Sequence, residues 1–455
     1  MAMTQSTSGS AKATSIEVND VAPISAGERH GKAWHLFAVW SSPNLEFATV
    51  FVGALAIIFG LNVWQGILAV IVGNGLAAIT HGYLSTWGPK AGLPQMVLGR
   101  TAFGKLGNLI PSGLSTLVAG IGWFAVNTVS GSLALTSLVG WDVKISLLIV
   151  IAAQIVIAFI GHNLIQKFER YAFYGLVVIW AIVTLVVLPQ GHYDVKSSDF
   201  SWASFTLAAG AAYGYTAGWT PFASDYTRYL PANTNSRSLG IWAGLGNFFS
   251  TTVLMIVGAV AWTVVPKGNP TTVFTDLLGH GSPLALLTLL AIAVGSVSAN
   301  VLNVYSGAMS FLAMGFKLGF KTRRAIMVLL AGIIGGITAF LAVQNVGGLG
   351  DNLENFLLVV SYWVAPWIAI VVVDRLIRKG ADFGSIAQSG KENIAGPIAF
   401  VVATVFSIWG FANQLAYTGP FAKGSPIGDL TAVVGFVVAG VLYYVLAKAL
   451  KTTKK

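Results

Sequence analysis

The sequence predicts an all-α polytopic membrane protein, and three observations lead to that fold class. Apolar residues make up 55% of the 455 residues and charged residues only 9%, against about 25% charged in soluble domains. The mean hydropathy over the whole chain is +0.75. Apolar stretches of roughly 20 residues, the length that a helix needs to cross a bilayer, recur along the chain. The sequence contains no cysteine, which excludes disulfides and cysteine-metal sites.

Twelve such stretches are predicted to span the membrane. They cover residues 34–60, 62–84, 109–138, 143–163, 169–190, 203–223, 238–264, 283–315, 325–345, 353–373, 394–415 and 427–447. Residues 1–33 are polar and lack the apolar region of a signal peptide, so we expect a disordered cytoplasmic tail. Residues 448–455 form a second, basic cytoplasmic tail.

Lysine and arginine set the expected orientation. With the N-terminus in the cytoplasm, 22 of the 26 basic residues fall on the inner side, which is a strong positive-inside signal. Both termini are then cytoplasmic, in the plasma membrane. The net charge of +10 is therefore explained by topology and anionic lipid, and nucleic acid is not an expected partner.

Polar residues inside lipid are rare and usually face a cavity or a neighbouring helix. Here they gather in spans 1, 3, 6 and 8. The segments are WSSPNLEF at residues 40–47, GWFAVN at 122–127, YGYTAGWTPFASDYTRYLP at 213–231 and GSVSANVLNVYSG at 295–307.

Spans 1 and 6 each carry a proline with small or polar neighbours, at Pro43 and Pro221. Proline removes a helix hydrogen bond, and matched interruptions five spans apart are typical of transporters built from inverted repeats with discontinuous helices. A structural kink explains either break alone. The pair predicts a first repeat at 34–190, a second at 203–375, and two further helices within 394–447.

The same spans predict the kind of substrate that the protein binds. Trp123 and Asn127 lie four residues apart, on one helix face, and Trp219 lies at the span 6 interruption. Two indoles can hold a planar heterocycle by offset stacking, and an amide can donate to and accept from its edge. The alternative is that these tryptophans serve interfacial or interhelical packing. Glu46 is placed as the only carboxylate within a span, with a role in coupling or gating, or in a structural hydrogen bond.

With these residues in view, the sequence resembles the purine/cytosine permease branch of the nucleobase–cation symporter family. The matching pieces are GPKAGLPQMVLGRTAFG (88–104), GWFAVN, PFASDYTRYLP (221–231) and SANVLNVYSGAMS (298–310). The resemblance covers the chain from about residue 34 onward. It implies a leucine-transporter-type fold of twelve helices, with a 5+5 inverted repeat plus two extra helices. It also implies uptake of a nucleobase or related heterocycle, driven by Na⁺ or H⁺, by alternating access.

The resemblance also implies a site. The substrate-binding residues would be Trp123, Asn127, Thr216, Gly218, Trp219, Asn44, Phe47 and Asn303, with Asn300 as a competitor for the role of Asn303. A sodium ion would lie near Ser41, Ser42, Val294 and Ser298. Two departures stand out: Asn127 replaces a Gln of some relatives, and SSPNLEF, with Glu46, does not align, which leaves proton coupling open.

Asp225 and Arg228, at the inner end of span 6, are expected to pair with each other or with the loop between spans 2 and 3, as gate or scaffold residues. That loop, residues 88–104, is expected to contain a short helix.

An enzyme is not expected, because no H-E-x-x-H, G-x-S-x-G or P-loop pattern is present. The remaining alternatives are an uncoupled facilitator and a symporter of amino acids or other small solutes with the same fold. No cofactor and no obligate protein partner are expected; the predicted partners are the bilayer, a small heterocyclic substrate and a coupling ion.

Overall fold

The computed structural model describes residues 21–160, 162–193, 200–266, 272–316, 320–344, 349–414 and 416–452. The described chain is helical, with one isolated β-bridge between Asn413 and Thr418. Its α-helices are α1 (His35–Ser41), α2 (Phe47–Ile58), α3 (Val63–Ser85), α4 (Gly88–Ala91), α5 (Gln95–Leu98), α6 (Arg100–Gly107), α7 (Leu109–Leu117), α8 (Phe124–Val139), α9 (Val143–Ile160), α10 (His162–Val187), α11 (Trp202–Ala217), α12 (Ala223–Thr227), α13 (Ser236–Val264), α14 (Val273–Leu278), α15 (Pro283–Ala313), α16 (Phe320–Leu330), α17 (Gly336–Ala342), α18 (Leu349–Ile377), α19 (Phe383–Gln388), α20 (Ala395–Phe411) and α21 (Thr431–Ala449).

The distribution of side chains is that of a protein in lipid. Large apolar side chains cover the outside, such as Ile79 and Leu185 at 71% and 75% exposure, while Asn44 and Glu46 are buried. Eight of the described helices are long and apolar enough to span a membrane, or nine if the bent pair α1–α2 counts as one span. Helices lie in all twelve predicted spans, but several are short or interrupted. The total of twelve crossings therefore stays a prediction.

Both predicted helix interruptions are confirmed. Helix α1 ends at Ser41, a 3-10 turn follows over Ser42–Asn44, and α2 leaves at an angle of 65°. Helix α11 ends at Ala217, and a second 3-10 turn, Thr220–Phe222, precedes α12. A proline lies in the first turn of each 3-10 segment, where its missing N–H costs no helical hydrogen bond.

Two π-helical segments were not predicted. Val118–Trp123 joins α7 to α8, and Ala331–Gly335 joins α16 to α17. They pack against each other, since a Cβ placed on Gly335 would lie 2.9 Å from the carbonyl oxygen of Gly120. Such π-bulges are frequent at functional sites, and the first one ends at Trp123.

Helix α2 packs backbone to backbone against α13. A Cβ on Gly258 would lie 1.7 Å from the Val50 carbonyl oxygen, and one on Gly53 would lie 1.8 Å from that of Met255. Only glycine allows this approach. The contact fixes the second half of the broken first span against the bundle.

The predicted disorder of residues 1–33 is wrong for part of that range. The backbone N–H of Ile24 donates to Gly92 O at 3.0 Å, the Arg29 side chain donates to Pro89 O, and His30 N donates to Tyr229 O at 2.6 Å. The first two contacts attach the segment to the loop that follows α3, and the third attaches it to the chain just after α12. Residues 1–20 and 453–455 of the two predicted tails lie outside the described residues.

Candidate substrate and cation site

The interruption between α1 and α2 is held by side chains from several helices. The Asn44 Nδ2 lies within hydrogen-bond distance of Trp40 O (2.7 Å) and of Ser250 Oγ on α13 (3.1 Å). The Asn44 Oδ1 accepts a hydrogen bond from Trp219 Nε1 at 2.9 Å. Two predicted substrate residues, Asn44 and Trp219, therefore contact each other and join the two interruptions.

The carbonyl that the break releases is also bound. Leu45 O accepts a hydrogen bond from Trp180 Nε1 of α10 at 2.9 Å. On the α15 side, a Cβ on Gly295 would lie only 2.4 Å from the same oxygen. Helices α10 and α15 thus both reach the break, and α15 does so because residue 295 has no side chain.

Glu46 caps the second half of the broken span. Its Oε2 accepts from Ala48 N at 2.7 Å, which satisfies an N–H group at the start of α2. Its Oε1 accepts from Tyr215 Oη of α11 at 2.8 Å. Tyr215 also hydrogen-bonds Thr49. Both oxygens of Glu46 are thus occupied within the protein, and the carboxylate ties α2 to α11.

Trp123 lies at the end of the π-helical segment, 6% exposed. Its ring makes edge-to-face contacts with Tyr215 (centroids 5.1 Å apart, 84°) and Phe356 (5.0 Å, 80°). Gly218 lies beside it, because a Cβ there would be 3.5 Å from Trp123 Nε1. The structure therefore places Trp123 of span 3 beside the interruption of span 6.

The other predicted aromatic residues are placed differently. Trp219 packs edge-on to Trp40, with centroids 6.1 Å apart, in a different cluster from Trp123. Phe47 stacks on Phe51 (6.0 Å) and contacts Trp262, away from both indoles. A ring held between Trp123 and Trp219, and any contact with Phe47, remain predictions.

Thr216 is turned toward α3. Its Oγ1 donates to Asn74 Oδ1 at 2.7 Å, and its carbonyl oxygen accepts from Asn247 Nδ2 at 3.1 Å. These bonds hold the last turn of α11, just before the interruption. A direct contact of the Thr216 hydroxyl with substrate remains a prediction.

Three asparagines form a buried amide cluster between α8 and α15. Asn300 Oδ1 accepts from Asn127 Nδ2 (3.0 Å) and from Asn303 Nδ2 (3.4 Å). Asn300 Nδ2 donates to Phe124 O (2.8 Å) and Thr128 Oγ1 (3.2 Å). Asn300 is therefore saturated. The Oδ1 atoms of Asn127 and Asn303 are buried and have no hydrogen-bond partner among the described residues.

The predicted cation residues meet where α1 ends. Ser42 Oγ lies 3.3 Å from Ser298 Oγ of α15. Val294, one turn before Ser298, packs in the neighbouring apolar cluster. Ser41 Oγ instead donates to Gly246 O of α13 at 3.1 Å. The structure thus brings Ser42 and Ser298 together and engages the Ser41 hydroxyl elsewhere.

The sequence prediction missed Glu169. Its side chain is buried, its Oε2 accepts from Ser298 Oγ at 2.6 Å, and Ser42 is also a hydrogen-bond partner. The expectation that Glu46 is the only carboxylate within a span is wrong, because Glu169, the first residue of the predicted span 169–190, lies well inside α10, and Glu354, in the predicted span 353–373, lies in α18.

A signal for this residue exists in the sequence. The apolar residues Leu176, Trp180, Val183 and Val187 recur at helical spacing in α10 and form a buried stripe. Extending the stripe toward the N-terminus places Glu169 on the buried face.

Asp225 and Arg228 lie at the inner end of the second broken span, and both are buried. Asp225 Oδ1 accepts from Gln95 N, the first N–H of α5, at 2.9 Å, so it contacts the loop between spans 2 and 3. The Arg228 guanidinium lies 5.0 Å above the Tyr229 ring and donates to its hydroxyl. The loop itself contains three short helices, where one was expected.

Comparison with known proteins identifies the family. Residues 23–435 match the family described as "Permease for cytosine/purines, uracil, thiamine, allantoin". The chain belongs to this family, and it is a permease rather than an enzyme, integral to the membrane.

Two relatives and one solved structure are similar to this chain. It is 30% identical to "Putative purine-cytosine permease YxlA" of Bacillus subtilis (strain 168), over 95% of this chain and 96% of that one. It is 25% identical to a purine-cytosine permease of Emericella nidulans, over 95% of this chain and 88% of that one. The structure of Mhp1, a nucleobase-cation-symport-1 family transporter in a closed conformation with bromovinylhydantoin bound, matches with a TM-score of 0.75 at 20% identity, covering 94% of this chain and 96% of that one. At that identity the match gives the fold.

Proposed function

We propose that this permease is a secondary active symporter that imports a nucleobase or a related planar heterocycle, coupled to Na⁺ or H⁺ by alternating access. The description of the family and the names of its purine-cytosine relatives support the substrate class. Twelve crossings, a repeat of five plus five helices and cytoplasmic termini complete the proposal. The likeness to Mhp1 in fold supports this architecture.

The amide cluster is the observation that carries the substrate assignment. A cytosine or purine edge presents N–H donors beside ring acceptors, so it needs acceptor atoms in a desolvated place. Asn127 and Asn303 each hold a buried Oδ1 without a partner among the described residues. A buried acceptor left unpaired costs about 1–3 kcal/mol, which a substrate N–H would recover. Trp123, four residues from Asn127, supplies an aromatic face beside them.

The two interruptions explain how binding and coupling are linked. Ser42 and Ser298 face each other at the first interruption, with Glu169 beside them. Oxygen ligands of this type suit a hard cation such as Na⁺. Asn44, two residues from Ser42, hydrogen-bonds Trp219 at the second interruption. A cation that orders the first break therefore acts on the helix that also carries substrate-site residues.

Uptake of radiolabelled cytosine by cells expressing the chain tests this proposal. Unlabelled adenine, hypoxanthine, hydantoin and leucine serve as competitors, in Na⁺ and Na⁺-free media, with and without a protonophore. We expect planar bases, and not leucine, to compete, and the Trp123→Ala variant to lose uptake. Trp409→Ala is the matched control, because Trp409 is 52% exposed on the outer surface. Uptake that is insensitive to every base, or undiminished by Trp123→Ala, would refute the substrate class.

Loss of substrate accumulation in Na⁺-free medium identifies Na⁺ as the coupling ion, and loss of accumulation with the protonophore identifies H⁺. Uptake that only equilibrates under all conditions refutes coupling and indicates a facilitator.

A further inference from the structure

Two buried carboxylates lie at the first interruption, and their surroundings differ. Glu46 has both oxygens occupied, by Ala48 N and Tyr215 Oη. Glu169 has Oε2 occupied by Ser298 Oγ, while its Oε1 is buried and has no hydrogen-bond partner among the described residues. An unsatisfied carboxylate oxygen in the interior is costly unless a cation or a proton completes it.

We propose that Glu169 is the charged ligand of the coupling-cation site and that this cation is Na⁺, an inference that rests on the cation coupling proposed above. Glu169 would act together with Ser42 and Ser298, and Glu46 would serve as a structural cap. The sequence predicts for Glu46 either a role in coupling or gating or a structural hydrogen bond, and the cap is the second of these.

The donor set fits a hard monovalent cation. Ser298 Oγ donates its proton to Glu169 Oε2, which leaves the lone pairs of the hydroxyl available to a metal ion. Ser42 Oγ lies 3.3 Å from Ser298 Oγ and also partners the carboxylate. All three groups offer oxygen, the donor that alkali and alkaline-earth ions prefer. The C-terminal end of α1, which is the negative end of its helix dipole, lies at the same break.

The three groups come from three different elements. Ser42 belongs to the first interruption, Glu169 to α10 and Ser298 to α15. A cation bound to all of them would fix the interruption against two helices at once. Its release would free the broken segment, which is what a coupling ion must do in alternating access.

Thermal unfolding of the purified protein in detergent tests the proposal without transport. The melting temperature is followed while NaCl replaces choline chloride at constant ionic strength. Wild type is expected to gain stability with Na⁺, because an ion that binds only the folded state stabilises it. In Glu169→Gln we expect the Na⁺ concentration for half of the effect to rise by at least about tenfold, since one full charge is removed from the first coordination shell.

Glu46→Gln is the matched control. It removes a buried carboxylate four residues from Ser42, so it is expected to lower the melting temperature while leaving the Na⁺ half-effect unchanged. An equal loss of Na⁺ response in both variants, or none in Glu169→Gln, would overturn the assignment. Absence of any Na⁺ response in wild type would overturn it as well.

Glu169→Asp covers the case in which the glutamine variant does not fold. It keeps the charge but shortens the reach, so a raised Na⁺ requirement is expected and an unchanged one contradicts the proposal. Stabilisation by cytosine, measured separately in choline, distinguishes the two proposals. If cytosine stabilises none of the proteins while Na⁺ acts through Glu169 alone, the substrate class fails and the cation site stands.

Discussion

Asn300 and Asn303 lie three residues apart on one face of α15, yet the structure predicts a large loss of stability for one substitution and almost none for the other. Asn300 makes four hydrogen bonds, to Asn127, Asn303, Phe124 and Thr128. Interhelical hydrogen bonds in membranes average about 0.6 kcal/mol, so Asn300→Ala is expected to lower the free energy of unfolding by about 2 kcal/mol. Substrate affinity falls too, because Asn127 and Asn303 lose the group that orients them.

Asn303→Ala removes the one hydrogen bond that this side chain makes among the described residues, a long bond of 3.4 Å to Asn300 that is worth about 0.6 kcal/mol or less. Its larger effect is on binding, since the substrate N–H would lose its acceptor at a cost of about 1–3 kcal/mol, or roughly a 5- to 150-fold loss of affinity. The assay pairs thermal unfolding in detergent with competition by unlabelled base in uptake. Asn233→Ala, at an exposed loop position, is the control.

The reasoning is refuted if Asn303→Ala destabilises the protein as much as Asn300→Ala, or if it leaves the apparent affinity unchanged. Either result means that the unpaired Oδ1 of Asn303 is not directed at substrate.

Three further substitutions test other parts of the site. Stacking of one base on an aromatic side chain is worth about 1–3 kcal/mol, so Trp123→Ala is expected to weaken the apparent affinity for substrate by about 5- to 150-fold. Trp123→Phe should weaken it less, and competition in the uptake assay measures both. Gly295→Ala places a Cβ 2.4 Å from Leu45 O and is expected to lower stability by about 1–3 kcal/mol and to reduce uptake; wild-type melting and uptake would contradict the close packing. Asp225→Ala removes the acceptor of the hydrogen bond from Gln95 N, so limited proteolysis should cut the loop at residues 88–104 faster; an unchanged rate would show that Asp225 does not hold this loop.

The interruptions were predictable because proline acts locally. Pro43 and Pro221 each remove a backbone donor, and their small or polar neighbours mark the same positions. The π-helical turn that ends at Trp123 had no such signal. It depends on packing against a second π segment more than two hundred residues away, and sequence patterns do not report that contact.

The types of residue in the site could be predicted from the sequence, but the role of each residue could not. Asn300 and Asn303 are chemically identical, and only the position of Thr128 and of the Phe124 carbonyl on α8 decides which amide is saturated. Glu169 was missed for a different reason. The polar segment before it is typical of a loop, so the span boundary was drawn at the residue itself, although the buried stripe of α10 continues through it.

The contacts between the two broken spans constrain how transport can be coupled. The Asn44 side chain accepts a hydrogen bond from Trp219, and the Glu46 side chain accepts one from Tyr215. Span 1 is therefore bound to span 6 on both sides of the span 1 interruption. Tyr215 in turn packs against Trp123. Under the proposed symport, a ligand that orders either break reduces the conformational cost of ordering the other, and the substrate and the cation then change each other's affinity by the same factor. It follows that Tyr215→Phe, which keeps the ring on Trp123 but loses the bond to Glu46, should reduce the effect of the cation on substrate affinity more than it reduces substrate affinity alone. Measuring cytosine affinity with and without the coupling ion in this variant decides the point, and an undiminished ratio would place the coupling on another contact.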